Sequence, residues 1–454
     1  MDRTVGIFQS LKIFENRQTV VVGAGVSGLA ACRFLLSLGA RVRLVDAKAD
    51  LTQDVLLKVH ADPASVGLTL AAGAHSAAQF ADAHLIVLSP GVPVKKLAAV
   101  LADVDPARVV AEMEFASWFL TEPIIAITGT NGKTTTTTLV GHILEQAGLS
   151  TFVGGNIGTP LCDYLMGERQ ADVLVIEISS FQLQNCRSFM PRVAALLNFS
   201  ANHLDYHLDM EEYLSAKLQL FARQDHACVA VIPAALREEL AARNFTKAHV
   251  ETFEAEALFD CPGLPGAHNR ENIAAAWRMV QPFGVTEAQA RAAIANFHAL
   301  PHRIEPVGEA AGVLFVNDSK ATTLDSVCAA VKSFERPVRL LLGGVFKGGD
   351  VASLLPVLAG RVASIGLFGA SREVFEPVLA PHFPVSWDAN LEAAVRRQFA
   401  LCAKGDVILL SPATASFDAY KSYTERGRDF ARVAQALAAE VNAEVGAENA
   451  GGAQ

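Results

Sequence analysis

A chain of 454 residues, 51% hydrophobic and 19% charged, carries enough apolar material for two to four domains, each with its own core, and is not a disordered protein. A formal charge of −9 with no Lys/Arg run argues against nucleic acid as a partner, and no apolar run is long enough for insertion into a membrane. Seven cysteines without a C-x-x-C pair read as reduced thiols of a cytoplasmic protein, and Met1 to Gln18 lacks the apolar core of a signal peptide.

In chain order, Thr19 to Val22 reads as a strand, followed by Gly23-Ala24-Gly25-Val26-Ser27-Gly28, a helix from Leu29 to Leu38 and a strand from Arg41 to Asp46. This is a βαβ unit whose glycine turn sets a helix N-terminus against a diphosphate. Three readings fit it: NAD with Asp46 on a ribose, a different nucleotide, or a tight turn that only packs helix against strand. His84 to Ser89 is a further strand, running into the rigid loop Pro90-Gly91-Val92-Pro93 at the edge where ligands of open α/β sheets bind. The first domain is expected to span 1–112.

The next strand, Pro123 to Ile127, enters Thr128-Gly129-Thr130-Asn131-Gly132-Lys133-Thr134-Thr135, and a helical pattern runs from Thr136 to Ala147. Strand, glycine loop and helix form a phosphate cradle. Its backbone N–H groups turn to the anion, Lys133 reaches the terminal phosphates, and the Thr134 hydroxyl can bind Mg²⁺. The spacing is a variant, with Ile127 where a strict P-loop has glycine. Further on, Gly154-Gly155-Asn156-Ile157-Gly158 is a glycine-rich loop. Asp172 to Ser180 is a buried strand that contains Glu177. A buried carboxylate needs a metal, a cation or a proton, and a lysine partner or Mg²⁺ would each satisfy it. His203 and Asp205 follow another strand end.

In the helix from Tyr213 to Phe221, Lys217 stands among Leu214, Leu218 and Phe221. The pattern fits a surface lysine with its stem along apolar neighbours, and equally a desolvated amine that is nucleophilic toward CO₂. Asn269 and Asn272 share one side of a helix opened by His268, where they can read an adenine edge or cap the helix. The second domain is expected to span 113–300 and the third 301–454. In the third, strands end in Asp318-Ser319-Lys320-Ala321-Thr322, Gly343-Gly344-Val345-Phe346-Lys347-Gly348-Gly349, Gly369 and Ser411-Pro412-Ala413-Thr414-Ala415-Ser416-Phe417-Asp418. From about residue 443 the small, polar tail is expected to be disordered.

Taken together these clusters resemble the ATP-dependent Mur ligases of peptidoglycan synthesis, from Gly23 to about Arg428. The most general motif is Thr128 to Thr134. More specific are Glu177-Ile178-Ser179-Ser180-Phe181-Gln182, His268-Asn269-Arg270-Glu271-Asn272 and Leu300-Pro301-His302-Arg303. Asn317 to Thr322 and Ser411 to Ser416 are typical of the D-glutamate-adding branch. The resemblance implies a three-domain α/β fold: a Rossmann-like N-terminal domain, a central P-loop parallel sheet and a Rossmann-like C-terminal domain. It implies a cytoplasmic, monomeric enzyme that phosphorylates UDP-N-acetylmuramoyl-L-alanine with ATP and couples the acyl phosphate to D-glutamate.

The same resemblance implies the site. Lys133, Glu177, His203 and Lys217 would be catalytic. Gly129, Thr130, Asn131, Gly132, Lys133, Thr134, Thr135, Asn269, Asn272, Arg303 and Asp318 would hold ATP. Two Mg²⁺ ions would be held by Thr134 and Glu177, and by His203 and a carbamylated Lys217. Gly25, Val26, Ser27, Ser89, Asn156 and His203 would contact the UDP substrate. Lys320, Thr322, Lys347, Ser416, Phe417 and Tyr423 would surround D-glutamate. The chain departs from the family pattern in three places: no aspartate precedes Lys347, Thr323 stands where asparagine is common, and Lys48 stands where arginine is expected near the UDP group. A nucleotide-binding scaffold, a ligase for another amino acid, a folylpolyglutamate synthase and an NAD-dependent dehydrogenase remain as rival readings.

Overall fold

The computed structural model describes residues 12–47, 67–90, 92, 94–200, 206–256, 258–261, 263–264, 267–297, 301–334, 336–346 and 348–451. His203, Lys347 and Lys48 lie outside the described residues, as do Asp205, Gly91, Pro93 and Leu300. The rest forms three sheets in two compact units. One unit, through Asp260 and with Arg270–Ala295, holds the first two sheets; the other, Cys261–Asn269 and from Asn296 onward, holds the third.

The first sheet contains β1 (Gln18–Val22), β2 (Arg41–Asp46), β3 (Leu68–Ala72), β4 (Leu85–Leu88) and β5 (Val109–Ala111), in the order β3-β2-β1-β4-β5 and all parallel. Helix α1 (Val26–Ser37) follows β1, α2 (Val94–Leu97) follows β4, and α3 (Glu112–Ser117) follows β5. Helix α1 starts three residues before the expected Leu29, because the last glycine of the turn lies inside its first turn. A Cβ on Gly28 would stand 1.9 Å from the Gly23 carbonyl, so only glycine fits that approach.

The second sheet is parallel, with β6 (Ile124–Thr128), β7 (Thr151–Gly155), β8 (Val173–Glu177), β9 (Val193–Leu196), β10 (Val229–Pro233) and β11 (His249–Phe253) in the order β11-β10-β9-β6-β8-β7. β6, β8 and β9 are buried along their whole length, as continuous apolar runs require when helices cover both faces. This part of the chain also holds helices α4 (Lys133–Gln146), α5 (Leu161–Met166), α6 (Ser180–Leu183), α7 (Met210–Leu218), α8 (Ala267–Val280) and α9 (Glu287–Ala295), with a short helix at Arg237–Ala242 between β10 and β11.

The first two sheets share one hydrophobic core. The Phe34 ring on α1 meets Phe115 at 5.6 Å and Phe119 at 4.9 Å between centroids. Arg33 of α1 forks onto Asp163 of α5 at 2.6 and 2.8 Å. Buried in the same junction, Glu112 accepts the Cys162 N–H at 2.9 Å, and burial pushes its carboxyl up to about 7.

The third sheet has β12 (Glu305–Ala310), β13 (Val313–Asn317), β14 (Val338–Gly343), β15 (Val362–Phe368), β16 (Val385–Asp388) and β17 (Val407–Leu410), in the order β12-β13-β17-β14-β15-β16. Only β12 is antiparallel among them. Helix α10 (Leu324–Lys332) follows β13, α11 (Leu391–Ala400) follows β16, and α12 (Tyr423–Gly451) ends the described chain. Sequence composition suggests disorder from about 443, yet α12 runs to Gly451; the alanines and glutamates of this stretch are strong helix formers. Among the described residues no helix is long and apolar enough to cross a membrane.

Candidate active site

β6 lies between β8 and β9, while the chain leaves it for β7, so a crevice opens at the carboxyl end of β6. Register fixes what meets there. Ile127 pairs with Glu177, Glu177 pairs with Gly155, and Thr128 pairs with Leu196. The phosphate loop after β6, Asn156 after β7 and Asn198 after β9 therefore lie on one edge, with Glu177 at the end of β8 between β6 and β7.

Gly129 (φ 154°) and Gly132 (φ 81°) bend the loop through left-handed backbone, and Gly132 caps α4. Asn198 clamps it from β9: its Oδ1 accepts from the Asn131 N–H at 2.8 Å, and its Nδ2 donates to the Asn131 carbonyl at 3.1 Å. Asn272 of α8 stands close behind, 2.4 Å from where a Cβ on Gly132 would lie. Thr135 is half-buried in the first turn of α4, and Thr130 donates its hydroxyl to the Ser200 carbonyl.

The Thr134 hydroxyl donates to Glu177 Oε2 at 2.6 Å, and the Asn156 amide donates to Glu177 Oε1 at 2.8 Å. Glu177 is 2% exposed and forms no ion pair among the described residues. The reading that it pairs with a lysine therefore gains no support among these residues. A buried carboxylate beside a threonine hydroxyl at a phosphate loop fits Mg²⁺, which takes few protein oxygens and fills its shell with phosphate and water. Among the described residues there is no group of three or more His, Cys, Asp or Glu that could hold a metal ion.

Two lysines converge on one carbonyl. Lys133 Nζ donates to the Gly129 and Thr130 carbonyls, each at 2.9 Å, and Lys217 Nζ donates to the same Gly129 carbonyl at 2.8 Å. Lys217 is 1% exposed, not a surface lysine, and its Nζ lies 4.5 Å from the Tyr213 ring centroid. Burial, with the Lys133 charge second, holds its amine well below the usual lysine range. A neutral amine is the form that attacks CO₂.

At the first sheet, Ser89 donates its hydroxyl to the Gly23 carbonyl at 2.9 Å, tying the end of β4 to the glycine turn. Gly25 caps α1, with Val26 exposed beside it and Ser27 next in the helix. Asp46, which an NAD reading places on a ribose, has Oδ2 on the Ala24 N–H at 2.7 Å. That oxygen already braces the turn.

At the third sheet, Asp318 follows β13. It accepts from Ser411 Oγ at 2.9 Å and from the Ile304 N–H at 3.3 Å, and burial pushes its carboxyl up to about 7. The Arg303 charge, from the residue before Ile304, acts the other way and lowers it. Asn269 is buried on α8. Lys320 Nζ lies 5.0 Å from the Tyr423 ring centroid, which brings two of the residues expected around D-glutamate together. Thr322 is half-buried, Ser416 buried and Phe417 exposed.

Sequence reasoning missed Arg426. Fully buried, it donates to Ser319 Oγ (3.0 Å), the Ser319 carbonyl (2.8 Å), the Gly343 carbonyl (3.2 Å), Thr414 Oγ1 (3.4 Å) and the Thr414 carbonyl (3.1 Å). One guanidinium thus pins the ends of β13, β14 and β17. Burial pulls it down to about 10. Its neighbour Arg428 offers the same residue type two positions on, and no sequence signal separates them. Tyr213 and Asn198 were read only as parts of a helix and a strand.

Three family models match the chain. One described as Mur ligase MurD-like, N-terminal domain covers residues 17–110, the Mur ligase middle domain covers 127–260, and the Mur ligase, glutamate ligase domain covers 302–414. The chain is 50% identical, over 425 residues, to a protein of Oleidesulfovibrio alaskensis, covering 93% of this chain and 94% of that one. It is 38% identical over 446 residues to a protein of Geotalea uraniireducens, covering 93% and 98%. Both relatives are named UDP-N-acetylmuramoylalanine--D-glutamate ligase. Among solved structures, MurF ligase from Thermotoga maritima in complex with ADP is similar in fold, with TM-score 0.57 and 17% identity over 97% of this chain and 100% of that one. The folylpolyglutamate synthase of Mycobacterium tuberculosis follows at TM-score 0.55 and 16% identity, covering 74% and 93%.

Proposed function

This chain belongs to the Mur ligase family, and from that premise we propose that it joins D-glutamate to UDP-N-acetylmuramoyl-L-alanine at the expense of ATP. One observation carries the chemistry: Lys133 and Lys217 converge on the Gly129 carbonyl beside the Thr134–Glu177 pair. That is a water-poor cradle with the Lys133 ammonium and a buried, reactive Lys217 amine beside a carboxylate suited to a metal, an arrangement that suits phosphoryl transfer to a carboxylate. The relatives' names supply the substrates.

In the proposed reaction the substrate carboxylate attacks the γ-phosphorus of ATP, and the bond to the bridging oxygen breaks to release ADP. The resulting acyl phosphate is attacked by the D-glutamate amine, which has lost a proton. The tetrahedral intermediate gives up the nitrogen's surplus proton, which leaves with the phosphate as the C–O bond to it breaks, and the amide remains. The backbone N–H groups of Gly129 to Gly132 and the Lys133 ammonium would bind the transferring phosphates, with Thr135 and Asn272 beside them; in the other unit, Asn269, Arg303 and Asp318 are the residues that would contact ATP. Gly25, Val26, Ser27 and Ser89 would hold the UDP group, and Asn156 the sugar-peptide end. Lys320, Thr322, Ser416, Phe417 and Tyr423, with Lys347, would take the two carboxylates and the amine of D-glutamate.

Thr134 and Glu177 would hold one Mg²⁺. Lys217, as a carbamate, would hold a second with His203, since CO₂ addition and loss of a proton turn its amine into a carboxylate ligand. Bound there, the ions would neutralise phosphate charge as it develops.

The test offers D-Glu, L-Glu, L-Ala, L-Lys and meso-diaminopimelate with UDP-N-acetylmuramoyl-L-alanine and ATP, and follows phosphate release. D-Glu is expected to be the substrate and L-Glu to fail, because the wrong hand leaves a cation or a carboxylate unpaired. Faster release with any of the others sinks the assignment.

A further inference from the structure

Behind the phosphate loop sits a histidine that none of the roles above uses. His207 is 2% exposed, with Nε2 2.9 Å from Ser180 Oγ and Nδ1 3.3 Å from Gln184 Nε2. The same Gln184 nitrogen lies 3.3 Å from Glu212 Oε1, so it is the amide NH₂ and donates to both. Nδ1 therefore accepts, the ring proton sits on Nε2, and Nε2–H donates to Ser180. At the outer end of this chain of bonds, Glu212 Oε2 pairs with Lys95 of α2 at 2.9 Å.

The faces of the ring are covered as well. Phe181 stacks on it at 5.6 Å and 23°, and Tyr213 at 5.0 Å and 37°. Tyr213 is the ring over which Lys217 lies, and its hydroxyl is 3.4 Å from Thr130 Oγ1 in the phosphate loop. Ser180 opens α6, three residues past Glu177. One imidazole thus grips the continuation of the strand that carries Glu177 and, through Tyr213, the helix that carries Lys217.

We propose that His207 is a positioning residue for the nucleotide site: it sets the spacing between the Thr134–Glu177 pair and the Lys217–Tyr213 pair across the loop. The inference rests on the proposed reading of this site as the place of Mg²⁺–ATP. The two pairs lie on different elements, and His207 adds a contact common to both beside the bond from Lys217 to the Gly129 carbonyl; partners of this kind shift metal affinity about 10–100-fold when removed.

His207→Phe keeps the stack and loses both hydrogen bonds; His207→Gln keeps a donor toward Ser180 and loses the ring. Calorimetry with ATP alone and with ATP plus Mg²⁺, without the other substrates, reads the effect apart from turnover. In His207→Phe the Kd for Mg²⁺–ATP should rise at least about tenfold while that for ATP alone stays close to the parent's, and His207→Gln should recover part of the difference. The KM for D-glutamate should stay near the parent value. A folded His207→Phe with parental Mg²⁺–ATP affinity overturns the proposal, as does equal weakening with and without Mg²⁺. If His207→Phe does not fold, Ser180→Ala, which removes only the acceptor, must show the same split, and parental affinity there overturns it too. A parent protein that binds Mg²⁺–ATP but does not consume D-glutamate would count against the ligase reading and leave this comparison intact.

Discussion

Arg426→Lys keeps the charge and loses the fork. Of the five acceptors, the hydroxyls of Ser319 and Thr414 are themselves donors to the Tyr423 and Gly343 carbonyls, so these groups stay partnered without the arginine. The Ser319 and Thr414 carbonyls take their guanidinium bonds at 2.8 and 3.1 Å in a fully buried site. A buried acceptor left unpaired costs about 1–3 kcal/mol. Both bonds come from the single nitrogen Nη2, and a lysine stem ends one bond short of that position, so the third-sheet unit should lose about 2–3 kcal/mol. At roughly 2–4 °C per kcal/mol for a domain of this size, its unfolding midpoint should drop by about 5–10 °C. Because the released loop ends carry Lys320 and Ser416, the KM for D-glutamate should rise several-fold more than that for ATP. Thermal unfolding and initial rates with each substrate varied in turn measure both effects. An unchanged midpoint would show that the three loop ends hold themselves, and equal rises in both KM values would show that the arginine does not organise the amino-acid pocket.

Other perturbations address the remaining parts. Thr134→Val leaves Glu177 short of a donor and should lower kcat/KM about 10–100-fold, with the loss concentrated in the Mg²⁺ dependence; unchanged Mg²⁺ activation would remove Thr134 from the metal site. Gly132→Ala meets left-handed backbone, which costs about 1–2 kcal/mol, and puts its Cβ 2.4 Å from Asn272 Oδ1, so ATP affinity measured by calorimetry should fall; full affinity would refute the rigid loop. Lys217→Ala should lose turnover and regain part of it with acetate or formate, and the parent protein should show a carbamate signal in ¹³CO₂-equilibrated NMR; no signal in active protein would leave Lys217 unmodified. Glu112, raised from 4.5 to about 7, binds its proton more tightly folded than unfolded. Its stabilising contribution is therefore complete below about 4.5 and is lost as pH rises through 7. Glu112→Gln keeps the acceptor for the Cys162 N–H without titrating, so it should gain on the parent by the order of 3 kcal/mol at pH 8 relative to pH 4; parallel stability curves for the two proteins would refute a protonated Glu112.

The strand–glycine–helix segment from Ile124 to Gln146 is legible because its signals are local: a buried run, two glycines and a helical period within one short stretch. Glu177 was equally readable, since a carboxylate at the end of an apolar run needs a compensating group wherever the strand lies. Leu300 to Glu305 reads as a proline turn with polar residues opening a strand, and the sequence of β12 past that point shows no strand pattern. Pro306 and Gly308 argue against one, yet pairing with β13 as the antiparallel edge overrides that preference. The helix boundaries at Val26 and Lys133 moved into the glycine turns, because a glycine can serve as both loop and cap.

What the sequence determined by itself is the set of parallel strand ends and the chemistry gathered on them: Gly129 to Thr134, Asn156 and Asp318 directly follow strands, Glu177 ends one, and Ser416 lies in the loop after another. Tertiary structure decided the residues that come from elsewhere in the chain. Leu214, Leu218 and Phe221 surround Lys217 whether its amine snorkels or is buried, and only the packing of α7 against the phosphate loop drives it to the Gly129 carbonyl. Arg426 and Arg428 are alike in sequence, and only the convergence of three loop ends draws one guanidinium inside. The physical reason is common to both: a local pattern specifies which face of an element is apolar, whereas burial of a charge depends on which distant carbonyls are left without a donor, and that is known only once the sheets are assembled.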